Sequence, residues 1–209
     1  MDALWFEFGS VALAHALAVA SPGPDFTLIL RQSLVHGRAT AVASAWGIGS
    51  GILVHVTISL LGVGALVRHQ PQLFALLKYA GAAYLAWLGV MALRSRGSTA
   101  APTTAEVAAP APPHGRRAWL RGFLTNVLNP KATLFFIALF TVGISPETPV
   151  GVQALYGGWM AVATGAWFSL VAWVFTRERV RSVYQRGAVW IDRALGLVFI
   201  GFAASLLWV

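Results

Sequence analysis

Two short stretches set ionisable side chains inside apolar sequence. Ser21-Pro22-Gly23-Pro24-Asp25 lies within the apolar segment Leu4–Leu30, and Asn126-Val127-Leu128-Asn129-Pro130-Lys131-Ala132 lies within Ala118–Val142. An ionisable residue at membrane depth is costly and by default functional. A proline removes an N–H and clashes with the carbonyl four residues back. Pro22 and Pro24, with Gly23 between them, therefore interrupt the first segment, and Pro130 frees the carbonyl of Asn126. Broken membrane helices aim half-helix N-termini at anions and unwound carbonyls at cations. Lys131, Asn129 and the amides after Pro130 suit a carboxylate. Asp25 and the carbonyls before Pro22 and Pro24 suit an ammonium or a coupling proton. A zwitterionic amino acid carries both charges. The competing reading makes Asp25 and Lys131 a structural ion pair, or a pair that snorkels to the interface.

Four further residues are candidates. His15 and His55 lie in the first and second apolar segments. Histidine titrates near neutrality, so each either relays protons or donates one hydrogen bond across a helix contact. Tyr84 offers a hydroxyl to a cavity or packs as an aromatic. Gly51, with Gly47 and Gly49, lets neighbouring helices approach closely.

The elements that must position these residues are membrane helices. The 209 residues are 57% hydrophobic and only 11% charged, with mean hydropathy +0.70, against roughly a quarter charged in soluble domains. The formal net charge of +8 does not indicate nucleic acid, because no basic face is interleaved with aromatics. The absence of cysteine excludes disulfides, thiolate metal sites and cysteine nucleophiles. Six segments have about the 20 residues that a spanning helix needs: Leu4–Leu30, Ala39–Val67, Leu73–Leu93, Ala118–Val142, Val150–Phe175 and Ala188–Val209. Asp2 and Glu7, with no Lys or Arg before Arg31, have the wrong sign for a signal peptide, so the first segment is expected to be retained.

Arginine falls in alternate loops. Arg31 and Arg38, then Arg94, Arg96, Arg116 and Arg117, then Arg177, Arg179, Arg181 and Arg186 mark the first, third and fifth connections. Positive loops stay in the cytoplasm, which places both termini outside. Residues 97–115 are rich in Ala, Pro and Thr and read as a flexible linker between a first three-helix unit, 1–96, and a second, 116–209. Three is odd, so the second unit enters the membrane from the opposite side, the plan of an inverted repeat. Pro24-Asp25-Phe26-Thr27-Leu28 and Pro130-Lys131-Ala132-Thr133-Leu134 share P-x-x-T-L, which puts Asp25 and Lys131 at equivalent places. The fold expected is all-α and integral to the membrane: six helices in two inverted three-helix repeats, the first and fourth broken at prolines.

Enzyme constellations are missing. There is no G-x-S-x-G, H-E-x-x-H or P-loop, and only seven carboxylates. No cofactor or metal is expected, and without a nucleotide site active transport has to draw on an ion gradient.

Ser21-Pro22-Gly23-Pro24-Asp25-Phe26 and Thr125-Asn126-Val127-Leu128-Asn129-Pro130-Lys131-Ala132 resemble the two signatures of the LysE/RhtB amino-acid exporter family. Gly37, Gly47, Gly51 and Gly81-x-x-Tyr84-Leu85-x-x-x-Gly89 extend the similarity over nearly the whole chain. Tyr184-Gln185-Arg186 and Trp190-Ile191-Asp192 are similar to its threonine-exporter branch. The resemblance implies a bacterial inner-membrane exporter of small neutral amino acids such as threonine or homoserine, driven by the proton motive force and forming homo-oligomers. A metal-cation exporter of the same superfamily is the first alternative, although soft ligands are scarce. A membrane scaffold without transport is the second.

Overall fold

The computed structural model describes residues 2–21, 23–69, 71–94 and 115–175, with helical residues at 189–190, 193–194, 196–197, 199–201 and 203–204. Among these residues there is no strand. In chain order the helices are α1 (Asp2–Ala20), α2 (Pro24–Val35), α3 (Arg38–His69), α4 (Pro71–Leu93), α5 (Gly115–Val127), α6 (Pro130–Ala138) and α7 (Val150–Val174). A π-helical turn, Leu139–Gly143, continues α6. The Ala/Pro-rich stretch 97–114, the arginine-rich stretch 176–188 and Pro22 lie outside the described residues.

Arg38–Gly62 and Val150–Val174 are long and apolar enough to cross a membrane. Two bent pairs reach the same standard when each is taken as one span: Leu4–Ala20 with Pro24–Val35, bent by 52°, and Gly115–Val127 with Pro130–Thr141, bent by 57°. Large apolar side chains such as Leu61, Leu155 and Leu170 stay exposed on these helices, as expected where lipid rather than water surrounds the protein. The turn after α2 follows from one glycine. Gly37 has φ 84°, the left-handed conformation that ends helices at the residue after the cap.

α3 is the centre, and small residues put it there. A Cβ on Gly47 would run into the carbonyl of Trp119, and one on Gly122 into the carbonyl of Ser44, so α3 and α5 touch backbone to backbone. Ser44 Oγ donates to the Ala118 carbonyl at 2.9 Å across the same contact. On the other side of α3, a Cβ on Gly49 would stand 2.7 Å from the Ala161 carbonyl of α7. Gly165 receives the Trp46 ring, and Gly157 packs on Val56.

The apolar interior divides in two. One cluster gathers Val11, Ala14, Ile52, Phe136, Met160 and Phe199. The other gathers Phe26, Ile29, Ala45, Ile48, Phe168 and Val171. Away from the two breaks, Glu7 ties α1 to the connection before α7. Its carboxylate accepts from Ser145 N at 2.8 Å and from Thr148 Oγ1 at 3.0 Å.

Candidate functional site

Both helix breaks are built the same way. Pro24 and Pro130 are the first residues of α2 and α6, where a missing N–H leaves no hydrogen bond unmade. Thr27 N donates to the Gly23 carbonyl at 2.9 Å, and Thr133 N donates to the Asn129 carbonyl at 3.0 Å. The caps differ: Asn129 Oδ1 accepts from Lys131 N at 3.0 Å, while Gly23 is extended at φ −177° and has no side chain to offer. The Asn126 carbonyl, displaced from helical pairing by Pro130, accepts from Asn129 N at 2.9 Å. It also accepts from His55 Nε2 at 3.0 Å.

The side chains of the two breaks meet. Asp25 Oδ2 accepts from Asn126 Nδ2 at 2.9 Å and from Asn129 Nδ2 at 3.2 Å. Lys131 Nζ donates to Ser21 Oγ at 2.8 Å, and a Cβ on Gly23 would lie 3.7 Å from that ammonium. Asp25 Oδ1 and Asn126 Oδ1 are buried and accept no hydrogen bond from any described residue. Two buried acceptors at one corner leave capacity for a cationic donor. Lys131, in the first turn of α6, adds its charge to the positive end of that helix, which suits an anion.

This corner opens on a cavity lined by residues from both breaks. The cavity lies where the two apolar clusters join: Ile52, Phe136 and Phe199 come from one, Phe26 and Phe168 from the other. Of the residues singled out in the sequence, Gly23, Asp25, Asn126, Asn129, Lys131 and His15 line it. His55 stands behind Asn126 and stacks on Phe136, with ring centroids 5.8 Å apart and planes at 8°. Gly51 also sits behind Asn126; a Cβ there would fall 2.7 Å from Asn126 Oδ1. Tyr84 is not among the lining residues and packs on Trp87 in α4. Pro22 falls outside the described residues.

Sequence reasoning passed over two polar lining residues. Ser21 was visible only as the first letter of its motif, yet it holds the lysine. Thr164 lies in an apolar helix where a threonine draws no notice; its neighbour Gly165 was the better signal, because it brings α7 against α3.

The family model for the LysE type translocator matches residues 16–208. The chain belongs to this family. Among its relatives in the family, the "Threonine efflux protein" of Escherichia coli (strain K12) is 35% identical over 206 residues, covering 96% of this chain and 97% of that protein. The "Homoserine/homoserine lactone efflux protein" of Salmonella typhimurium is 34% identical over 211 residues, covering 97% and 95%. No solved structure matches the chain. Membership in the LysE type translocators makes the chain a member of a transport family, and the relatives just described are named for threonine and homoserine efflux.

Proposed function

We propose that the chain exports small neutral amino acids, threonine or homoserine among them, from the cytoplasm by secondary active transport coupled to protons. One observation carries this reading: opposite charges from the two helix breaks, Asp25 and Lys131, meet at one corner of one cavity through Asn126, Asn129 and Ser21. Asp25, with its second oxygen unmet, holds the substrate ammonium or the coupling proton. Lys131 at the start of α6 holds the carboxylate. The relatives named for threonine and homoserine efflux support the substrate class.

The protein works as six spans in two inverted halves, in the inner membrane, with both termini outside. Support comes from the shared P-x-x-T-L, from proline at the first position of α2 and of α6, and from matching threonine-to-cap hydrogen bonds. The two bends, 52° and 57°, are nearly equal as well.

The test is efflux of preloaded radiolabelled threonine, homoserine, leucine and lysine from cells carrying the wild type or Lys131→Ala. The wild type is expected to export threonine or homoserine faster than empty cells, and Lys131→Ala to return that rate to background. Equal efflux from wild type, mutant and empty cells for all four amino acids would overturn the proposal.

A further inference from the structure

The cavity has a second polar pair besides the charged corner. His15 of α1 and Thr164 of α7 both line it. Their exposures are only 2% and 1%, and His15 Nε2 lies 3.0 Å from Thr164 Oγ1. Apolar side chains, Ile52, Phe136 and Phe168, form the wall around them. We propose that this pair recognises the hydroxyl on the side chain of the transported amino acid, so that His15 and Thr164 determine specificity. The proposal rests on the amino-acid export reading above and adds to it the group that selects among neutral substrates.

Two physical features support it. The first is spacing. His15 precedes Ser21, the partner of Lys131, by six residues of helix, an axial distance of ~9 Å. Six residues of chain therefore separate the group that holds Lys131 from the pair that includes His15. The second is unused bonding capacity. A hydroxyl offers one donor and two acceptor positions, and the bond to His15 takes one of Thr164's three. A substrate hydroxyl replaces the water that these groups lose when the cavity fills. An isosteric methyl leaves them buried and unmet, and sites built to bond a hydroxyl reject its apolar isostere strongly for this reason.

The pair also fastens α1 to α7, and the test has to separate fastening from recognition. Full-length protein in proteoliposomes is loaded with equal concentrations of threonine and its isostere valine, and efflux of both is followed together. The wild type is expected to favour threonine. Thr164→Val is expected to lower the threonine-to-valine ratio by about tenfold or more while valine efflux holds or rises, and Thr164→Ser to restore the ratio. Should Thr164→Val fail to assemble, His15→Leu is expected to shift the ratio in the same direction. A wild type without preference, or variants that slow both amino acids equally and keep the ratio within twofold, would overturn the recognition role and leave export itself standing. No efflux of either amino acid by the wild type would overturn both readings.

Discussion

Gly51 and Asn126 compete for one volume: a Cβ on Gly51 would stand 2.7 Å from Asn126 Oδ1 and 2.9 Å from Asn126 Cβ. The asparagine that donates to Asp25 therefore keeps its place only because α3 is bare at that point. Gly51→Ala is expected to push Asn126 off Asp25. A hydrogen bond to a charged group contributes about 1.5–3 kcal/mol, so efflux should fall by roughly 10- to 100-fold with the protein still present in the membrane. Efflux within twofold of wild type, alongside equal protein levels, would remove Asn126 from the mechanism.

Asp25→Asn keeps the shape of the side chain and removes its charge. In everted vesicles, an acid interior drives substrate inward through a proton-coupled exporter. The wild type should accumulate labelled substrate under this gradient, and Asp25→Asn should accumulate no more than vesicles treated with a protonophore. Gradient-driven accumulation by Asp25→Asn at half the wild-type level or above would clear the carboxylate of a part in coupling.

The α3–α5 contact allows no side chain at its tightest points. Gly122→Ala drives a methyl against the Ser44 carbonyl, and backbone on both sides cannot yield. Overpacking of this kind costs about 1–3 kcal/mol, so the thermal unfolding temperature of the detergent-solubilised protein should drop. Gly9→Ala is the control, because a Cβ there meets nothing within 4 Å. Equal unfolding temperatures for the two variants would contradict the packing.

Gly23 presents the opposite case. Its backbone is extended, a conformation open to other residues, and a Cβ would meet Lys131 Nζ and Cδ only at ordinary contact distances of 3.7 and 3.8 Å. Gly23→Ala is expected to keep at least about half of wild-type efflux, and Gly23→Trp, which fills the space beside the ammonium, to abolish it. Complete loss with alanine would show that the break needs glycine for a reason other than space.

Much of the site was legible because proline, aspartate and lysine are conspicuous in apolar sequence. The P-x-x-T-L match put Asp25 and Lys131 at equivalent positions, and both now flank one corner. The bridging was not legible. Nothing in the spacing of Asn126 and Asn129 says that both amides turn to the same carboxylate oxygen, since that depends on how α5 stops and α6 begins. Pro24 and Pro130 were read as breaks within the first and fourth segments; each stands at the start of a helix, α2 and α6, where the missing N–H goes unnoticed. Thr164 escaped because its importance comes from facing His15 across 149 positions of chain, a pairing that no local pattern encodes. Tyr84 stood in a resembling motif, yet α4 sets it beside Trp87.

Ser21 precedes the first break and Lys131 follows the second, whereas Asp25 follows the first and Asn126 precedes the second. The bonds Lys131–Ser21 and Asn126–Asp25 thus run from the near arm of each bent helix to the far arm of the other. Turning one arm about its break loads the bond that arm carries to the other helix, so the two bends are tied into one interlock. A zwitterion between Asp25 and Lys131 would compete for the same ammonium and the same carboxylate, loosening the ties that hold the arms. On the proposed export reading, cargo would serve as the key, its arrival and the release of the interlock being one event.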